Sequence, residues 1–318
     1  MLKAIGAGSL LGGVALASRY APTWDGSARS APAASCPSAA AVSASLSPVP
    51  LASSPDSTAL VFPTPRSARF DADPALRGAC PASMALVDGE FCPDLAYECI
   101  RPTSTAGCAE YARGERCLGE PDHRRYCIDQ HEWPNRLGEN PAVYVDWFEA
   151  RALCAGAGKR LCRRSEWILA CEGPKRLPYP WGFVRQPSPC NVDRASIPAD
   201  VEAMIDASTR EGELSRLWQA DRIGSHPDCV SSFGAYDQSG NVDEWTDDLA
   251  DNPGTDHPST LNGGYWGPVR DTCRLTTTTH GPTFRFYQVG FRCCADPIDG
   301  LAAETPRPWI ERKPVHPG

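Results

Sequence analysis

Fourteen of the fifteen cysteines in this chain crowd between Cys80 and Cys294, and that density constrains the fold more than any other feature. A reducing cytosol disfavours such density; an oxidising compartment turns it into crosslinks. No Cys-x-x-Cys spacing occurs, so zinc-ribbon and thioredoxin-like readings fail and structural disulfides remain. The N-terminus agrees. Lys3 precedes an apolar stretch from Ala4 to Ala17 that is short for a membrane span. Ala15-Leu16-Ala17 is a small-x-small cleavage site, so residues 1–17 are predicted to be a signal peptide. An uncleaved anchor is the alternative. The mature chain is then extracytoplasmic, periplasmic or secreted, with no membrane span.

Composition removes one class of partner. The formal net charge is -8, and phosphate neutralisation needs a dense Lys/Arg surface. A nucleic-acid partner is therefore not expected. Apolar residues make up 42%, enough for an ordinary core. Between residues 27 and 65, Ala, Ser and Pro fill 27 of 39 positions. A segment of that composition cannot offset its ordering entropy by burial, so residues 18–79 are predicted to be a disordered linker. Cys36 within it is the odd cysteine, free or paired between chains.

Residues 80–122 form a cysteine-rich element. With Cys127 it holds six cysteines in 48 residues, which allow 15 connectivities. Tyr126 to Asn135 reads as a strand joining it to a main domain over 123–296; residues 297–318 are a tail. Asp146 can cap a helix that places Trp147, Ala150 and Cys154 on neighbouring turns, and Gly156 and Gly158 end it. Ser165 can cap a second helix that runs through Cys171 to Gly173-Pro174. The remainder is punctuated by Gly, Pro and Asn. Short strand-like runs stand at Leu261–Trp266, Arg274–Thr279 and Phe284–Phe291. The pattern is an α+β fold with two helices, short strands and much loop.

Four blocks carry a family resemblance. The first is Val145-Asp146-Trp147-Phe148-Glu149-Ala150, continuing to Cys154 and Gly158-Lys159-Arg160-Leu161. The second is Ser165-Glu166-Trp167, closing at Cys171, then Tyr179-Pro180-Trp181-Gly182. The third is Gly240-Asn241-Val242-Asp243-Glu244-Trp245. The fourth is Gly263-Gly264-Tyr265-Trp266, with Gly290-Phe291-Arg292-Cys293 closing the domain. In this order and spacing the chain resembles the formylglycine-generating-enzyme, or sulfatase-modifying-factor, family. The resemblance implies a variant of the C-type-lectin fold. The four tryptophans Trp167, Trp181, Trp245 and Trp266 are read as core packing. Arg292 is read as an internal ion-pair or carbonyl-binding residue.

The turn from Asp237 to Glu244 alternates oxygen donors of the kind calcium prefers. By resemblance, the ligands are the side chains of Asp237 and Glu244 and the carbonyls of Gly240 and Val242. A second family calcium site would use Asn191 and the Val192 carbonyl. The family's enzyme oxidises a substrate cysteine with copper and oxygen, holding copper(I) between two thiolates; soft thiolates suit that ion. The matching positions here are Pro268 and Cys273. The first thiolate is absent, so copper is not expected, and Cys273 is the only catalytic-position cysteine left. The family's motif serine is Tyr265, and its histidine is Val269. A non-haem iron branch is also disfavoured, since no His-x3-His pair occurs among the six histidines; His280 reads as a loop histidine.

The resemblance implies that Cys154 pairs with Cys293. Neighbours on a strand face opposite ways, so Cys294 needs another partner, and Cys162 is chosen. The family's partner for Cys171 stands at Thr278 here, which leaves Cys190 as substitute and Cys229 with Cys273 as the remaining pair. Three functions compete: an inert exported module binding a protein or glycan, a family oxidoreductase with altered metal chemistry, and a formylglycine generator acting on sulfatases. The missing thiolate favours the first.

Overall fold

The structure, a computed structural model, describes residues 78–103 and 107–299. The signal peptide, nearly all of the linker with Cys36, and most of the tail lie outside those residues. The strands between Met84 and Asp129 form one long nested hairpin. Its outermost strands, β1 (Met84–Phe91) and β6 (Asp122–Asp129), pair antiparallel along their whole length. Inside them β2 (Leu95–Ala96) pairs with β5 (Arg116–Cys117), and β3 (Cys99–Pro102) with β4 (Cys108–Tyr111). Disulfides Cys80–Cys127, Cys92–Cys117 and Cys99–Cys108 staple the three levels. The cysteine-rich segment thus begins with a strand of the main sheet, because Ala85, Val87 and Phe91 of β1 enter the same core as Tyr126 and Ile128 of β6.

Helix α1 (Trp147–Gly156) starts at a capping box. Asp146 Oδ1 accepts from Glu149 N at 2.9 Å, and Glu149 Oε2 accepts from Asp146 N at 3.0 Å. Its buried residues are Trp147, Ala150 and Cys154, the stripe read from the sequence. After β7 (Arg160–Leu161) comes α2 (Arg164–Glu172), every residue of which is buried. Ser165, expected to cap this helix, lies one residue inside it. Its N and Oγ both donate to Asp251, at 2.7 Å each. The cap is therefore a carboxylate from 86 residues further on, which local pattern could not reveal. Gly173 ends the helix at φ 65°, and a Cβ there would stand 2.0 Å from Ser232 Oγ.

Two further helices, α3 (Val201–Ile205) and α4 (Arg210–Leu217), bring the described residues to four where the sequence suggested two. They are short, and α4 is rich in charge (Arg-Glu-Gly-Glu-Leu-Ser-Arg-Leu) with only Glu213 and Leu217 buried, so no apolar stripe announced them. The last strands are β8 (Asp243–Asp247), β9 (Ser259–Asn262), β10 (Val289–Phe291) and β11 (Cys293–Ala295). They complete two sheets, ordered β1-β6-β11-β7 and β10-β8-β9. The run Arg274–Thr279 forms only a bridge, Leu261 to Thr277. Trp167, Trp245 and Trp266 are buried. Trp181 is half-buried instead, stacked on Tyr179 at 5.4 Å with its indole N–H on Val184 O.

Four disulfides crosslink the main domain. Cys154 is joined to Cys293 and Cys162 to Cys294. The other two differ from expectation: Cys171 is joined to Cys273, and Cys190 to Cys229. The reason is packing. Cys171 ends α2 inside the core cluster that also contains Cys273, whereas Cys190 and Cys229 share a separate small cluster with Val192 beside Trp181. The pairings at separations of 139, 132 and 102 residues each remove on the order of 4–5 kcal/mol of unfolded-state entropy in the chain-entropy account. Peptide mapping without reduction should recover Cys171 linked to Cys273 and Cys190 linked to Cys229; a Cys171–Cys190 peptide would refute this connectivity.

Candidate functional site

A cleft of about 440 Å³ opens beside β8 and β9, lined in part by Asp243, Tyr265, Pro268, Arg270, His280, Phe284 and Gln288. Gly263 and Gly264 make it. Their φ values are 88° and 72°, and a Cβ on Gly264 would lie 1.9 Å from Arg270 O. Only glycine lets residues 265–270 fold back this closely. The fold-back sets Arg270 Nη2 against both carboxylate oxygens of Asp243, at 2.9 and 3.1 Å, and against Leu261 O at 2.8 Å. Burial pushes the Asp243 carboxyl upward, and Arg270 opposes it. His280 stacks on Phe284 with centroids 3.8 Å apart, and burial lowers its pKa, which favours the neutral ring. Two buried polar atoms of this wall have no hydrogen-bond partner, Arg270 Nε and Gln288 Oε1. A buried donor and acceptor left unsatisfied each cost about 1–3 kcal/mol.

The positions of the family's copper thiolates do not meet here. Pro268 lines the cleft. Cys273 is fully buried, its sulfur bonded to Cys171 and its N–H donating to Pro178 O at 2.9 Å. A thiolate is what binds copper(I) and what reacts, and neither position supplies one. These residues do not fit copper.

The turn expected to hold calcium is tightly wound. Asp237, Gly240 and Asn241 have φ values of 57°, 84° and 55°. Asp237 is buried with its Oδ1 unpartnered, and its Oδ2 lies 4.0 Å from His131 Nδ1. Glu132, absent from the sequence reading, approaches the same region. Its Oε1 accepts from Asn241 Nδ2 at 2.9 Å and its Oε2 is unpartnered. Burial pushes the Glu132 carboxyl well up, and the charges of Asp237 and Glu244 add to that. Glu244, expected to be a ligand, is already committed. Arg292 Nε and Nη2 donate to its two oxygens at 2.6 Å each, and Trp167 Nε1 donates at 2.7 Å. Arg292 is thus an internal ion-pair residue, and its Nη2 also donates to Tyr236 O at 2.7 Å. Three buried carboxyl groups face one guanidinium, and two of their oxygens lack a partner. Orphaned acid oxygens of this kind are donors that a divalent cation would take. Among the described residues no three His, Cys, Asp or Glu side chains could enclose a metal by themselves, so backbone carbonyls must complete any such site.

Asn191, expected at a second calcium site, has its side chain engaged by its neighbours. Its amide donates to Gln219 O and Asn241 Oδ1 at 2.9 and 3.0 Å, while its Oδ1 accepts from Arg194 Nε at 2.8 Å. The Arg194 guanidinium that donates to it is itself paired with Asp221. Glu132, Arg270 and Gln288 could not be found from local sequence: Glu132 meets Asn241 from 109 residues away, Arg270 meets Asp243 from 27, and Gln288 is marked only by a missing bond.

Residues 110–297 match the family described as the sulfatase-modifying factor enzyme 1-like domain. That is more than half of the chain, and the chain belongs to this family. An inactive C-alpha-formylglycine-generating enzyme 2 from Bos taurus is 32% identical over 164 residues, covering 49% of this chain and 50% of the relative. The formylglycine-generating enzyme of Thermomonospora curvata is 28% identical over 184 residues, covering 50% of this chain and 56% of that protein. The chain therefore spans about half the length of these curated relatives. The crystal structure of CarF overlaps 69% of this chain at 17% identity with a TM-score of 0.42, a likeness too loose to argue from.

Removing one half of the buried pair should be costly, since it strands a charge. Glu244→Gln is expected to lower the unfolding free energy by about 3–5 kcal/mol, read as a shifted urea midpoint. The double change Glu244→Leu/Arg292→Met should recover part of that loss. A Glu244→Gln protein as stable as the parent would refute the assignment.

Proposed function

We propose that this protein is an exported member of the family that does not carry out copper-dependent cysteine oxidation and instead binds a ligand in the cleft beside Asp243 and Arg270. One observation carries the reading: the sulfur at the second copper position is spent in the Cys171–Cys273 disulfide. Pro268 at the first position supports it, as does the resemblance to a relative named inactive. Export is supported by seven disulfides, which belong to oxidising compartments. No helix among the described residues is long and apolar enough to cross a membrane. Binding is supported by the cleft itself: aromatic walls, an ion pair at its side, and a donor and an acceptor with nothing to satisfy them. The occupant is a protein or glycan.

A peptide bearing Cys-x-Pro-x-Arg should stay unoxidised when incubated with the protein, copper and oxygen. Mass spectrometry reads the outcome, and conversion above the enzyme-free control would sink the proposal.

The same reading includes one calcium ion at the Asp237 turn, held by the side chains of Asp237 and Glu132 and the carbonyls of Gly240 and Val242, with Glu244 contributing charge from behind. Calcium would supply two positive charges to a buried, acid-rich turn and so fix its conformation. At 100-fold excess over its dissociation constant it would add about 2.7 kcal/mol, or roughly 5–10 °C in melting temperature for a domain of this size. Asp237→Ala, which removes the side-chain oxygens, should abolish the shift. Chelator-stripped protein whose melting temperature ignores added calcium would count against the site.

A further inference from the structure

A second pocket, of about 220 Å³, lies between α1, β7 and the end of β8. Four of its lining residues are cations, Arg151, Lys159, Arg160 and Arg163, against a single lining carboxylate, Asp247. The chain as a whole is acidic, at -8, so such a concentration is a local construction.

The four cations fall into two pairs. Lys159 and Arg160 are neutralised from behind. Lys159 Nζ lies 2.5 Å from Asp129, and Arg160 grips Glu166 through two bonds of 2.6 Å; both carboxylates are buried. Arg151 and Arg163 are different. Among the described residues, Arg151 comes no closer to a carboxylate than 3.8 Å, at Asp247, and Arg163 no closer than 4.0 Å, at Glu166. Both side chains keep solvent access, 50% and 27%. Each is oriented by a second contact besides its long ion pair: Arg151 lies over the Trp147 ring at 4.4 Å, and Arg163 Nη1 donates to Ala250 O at 3.3 Å. Two oriented guanidinium groups, underpaired, border one small cavity. Asp247 is partly withdrawn from it, since its Oδ1 accepts from Ala250 N at 3.2 Å.

We propose that this pocket binds a tetrahedral oxyanion, a phosphate or sulfate group, with Arg151 and Arg163 as its principal donors. Planar guanidinium forks match the oxygens of such groups through charge-assisted bonds, and the volume admits the group with its attachment. The group comes either as the free ion or as a monoester on a larger molecule.

Calorimetry and melting curves on the disulfide-intact protein test this with inorganic phosphate, inorganic sulfate and phenyl phosphate, each against chloride at matched ionic strength. Saturable binding above the chloride control is expected. The double variant Arg151→Gln/Arg163→Gln should weaken it by about tenfold or more, the loss of charge-assisted bonds. Asp247→Asn, which removes the opposing charge, should strengthen it. Tighter binding of phenyl phosphate assigns the site to an esterified group; tighter binding of the inorganic ions assigns it to the free ion. Should the double variant lose its chloride-only melting transition, Arg151→Gln alone, on the exposed face of α1, replaces it. Absence of saturable binding, or equal affinity in the arginine variant and the parent, overturns the proposal.

Discussion

Glu244 and Arg292 form an ion pair with almost no solvent access, and the surrounding chain is arranged to make that tolerable. Taking two charges out of water costs several kcal/mol each, recovered only where geometry is good and the remaining lone pairs and protons are satisfied. Here the carboxylate receives two bonds from the guanidinium and one from Trp167, and the guanidinium also reaches Tyr236 O. These contacts bring together β8, the junction of β10 and β11, helix α2 and the segment leading into the Asp237 turn. In a domain with strands of two to eight residues, ladder hydrogen bonds alone specify register weakly. A central charged knot with one satisfactory arrangement specifies it strongly, because any slip leaves a charge buried without its partner.

The disulfides express a second constraint, competition for one sulfur. The end of α2 is buried and followed immediately by a turn at Gly173, so a crosslink at Cys171 anchors it to the far side of the core. With threonine at position 278, the nearest core cysteine is Cys273. The sulfur that would have been needed as an exposed thiolate is thereby drawn into the interior. Structural and catalytic uses of that position exclude each other, and the fold has taken the structural one.

Much of this was legible in the sequence, and the limits are physical. The capping box at Asp146 and the stripe Trp147, Ala150, Cys154 are local, so α1 could be read directly. The Gly263-Gly264 pair announced a close backbone approach, and the Arg270 carbonyl is what approaches. The pairings of Cys171 and Cys190 depended on which residues share a cluster across some 40 to 100 positions, and parity arguments cannot see clusters. Helices α3 and α4 bury too little to leave an apolar period. Glu244 looked like a ligand because its neighbours on the turn are oxygen donors; that Arg292 and Trp167 would reach it first is a tertiary fact. Glu132 carried no local signal at all, since only its missing hydrogen bond marks it.

The cleft and the Asp237 turn are two faces of one piece of backbone. Asp243 and Glu244 are adjacent on β8 and so point to opposite sides, Asp243 into the cleft toward Arg270 and Glu244 into the interior toward Arg292. Gly240 N donates to Gly263 O at 3.0 Å, which ties the turn to the glycine pair that folds the cleft wall. Trp266 N donates to Asn241 O at 3.1 Å, and Asn241 Nδ2 reaches Glu132. A cation that fixed Asp237 and Glu132 would therefore also fix the backbone from Gly240 to Asp243, and through it the positions of Arg270 and Tyr265. In the proposed arrangement the metal would support the shape of a cleft that lacks the thiolates of the family's copper site.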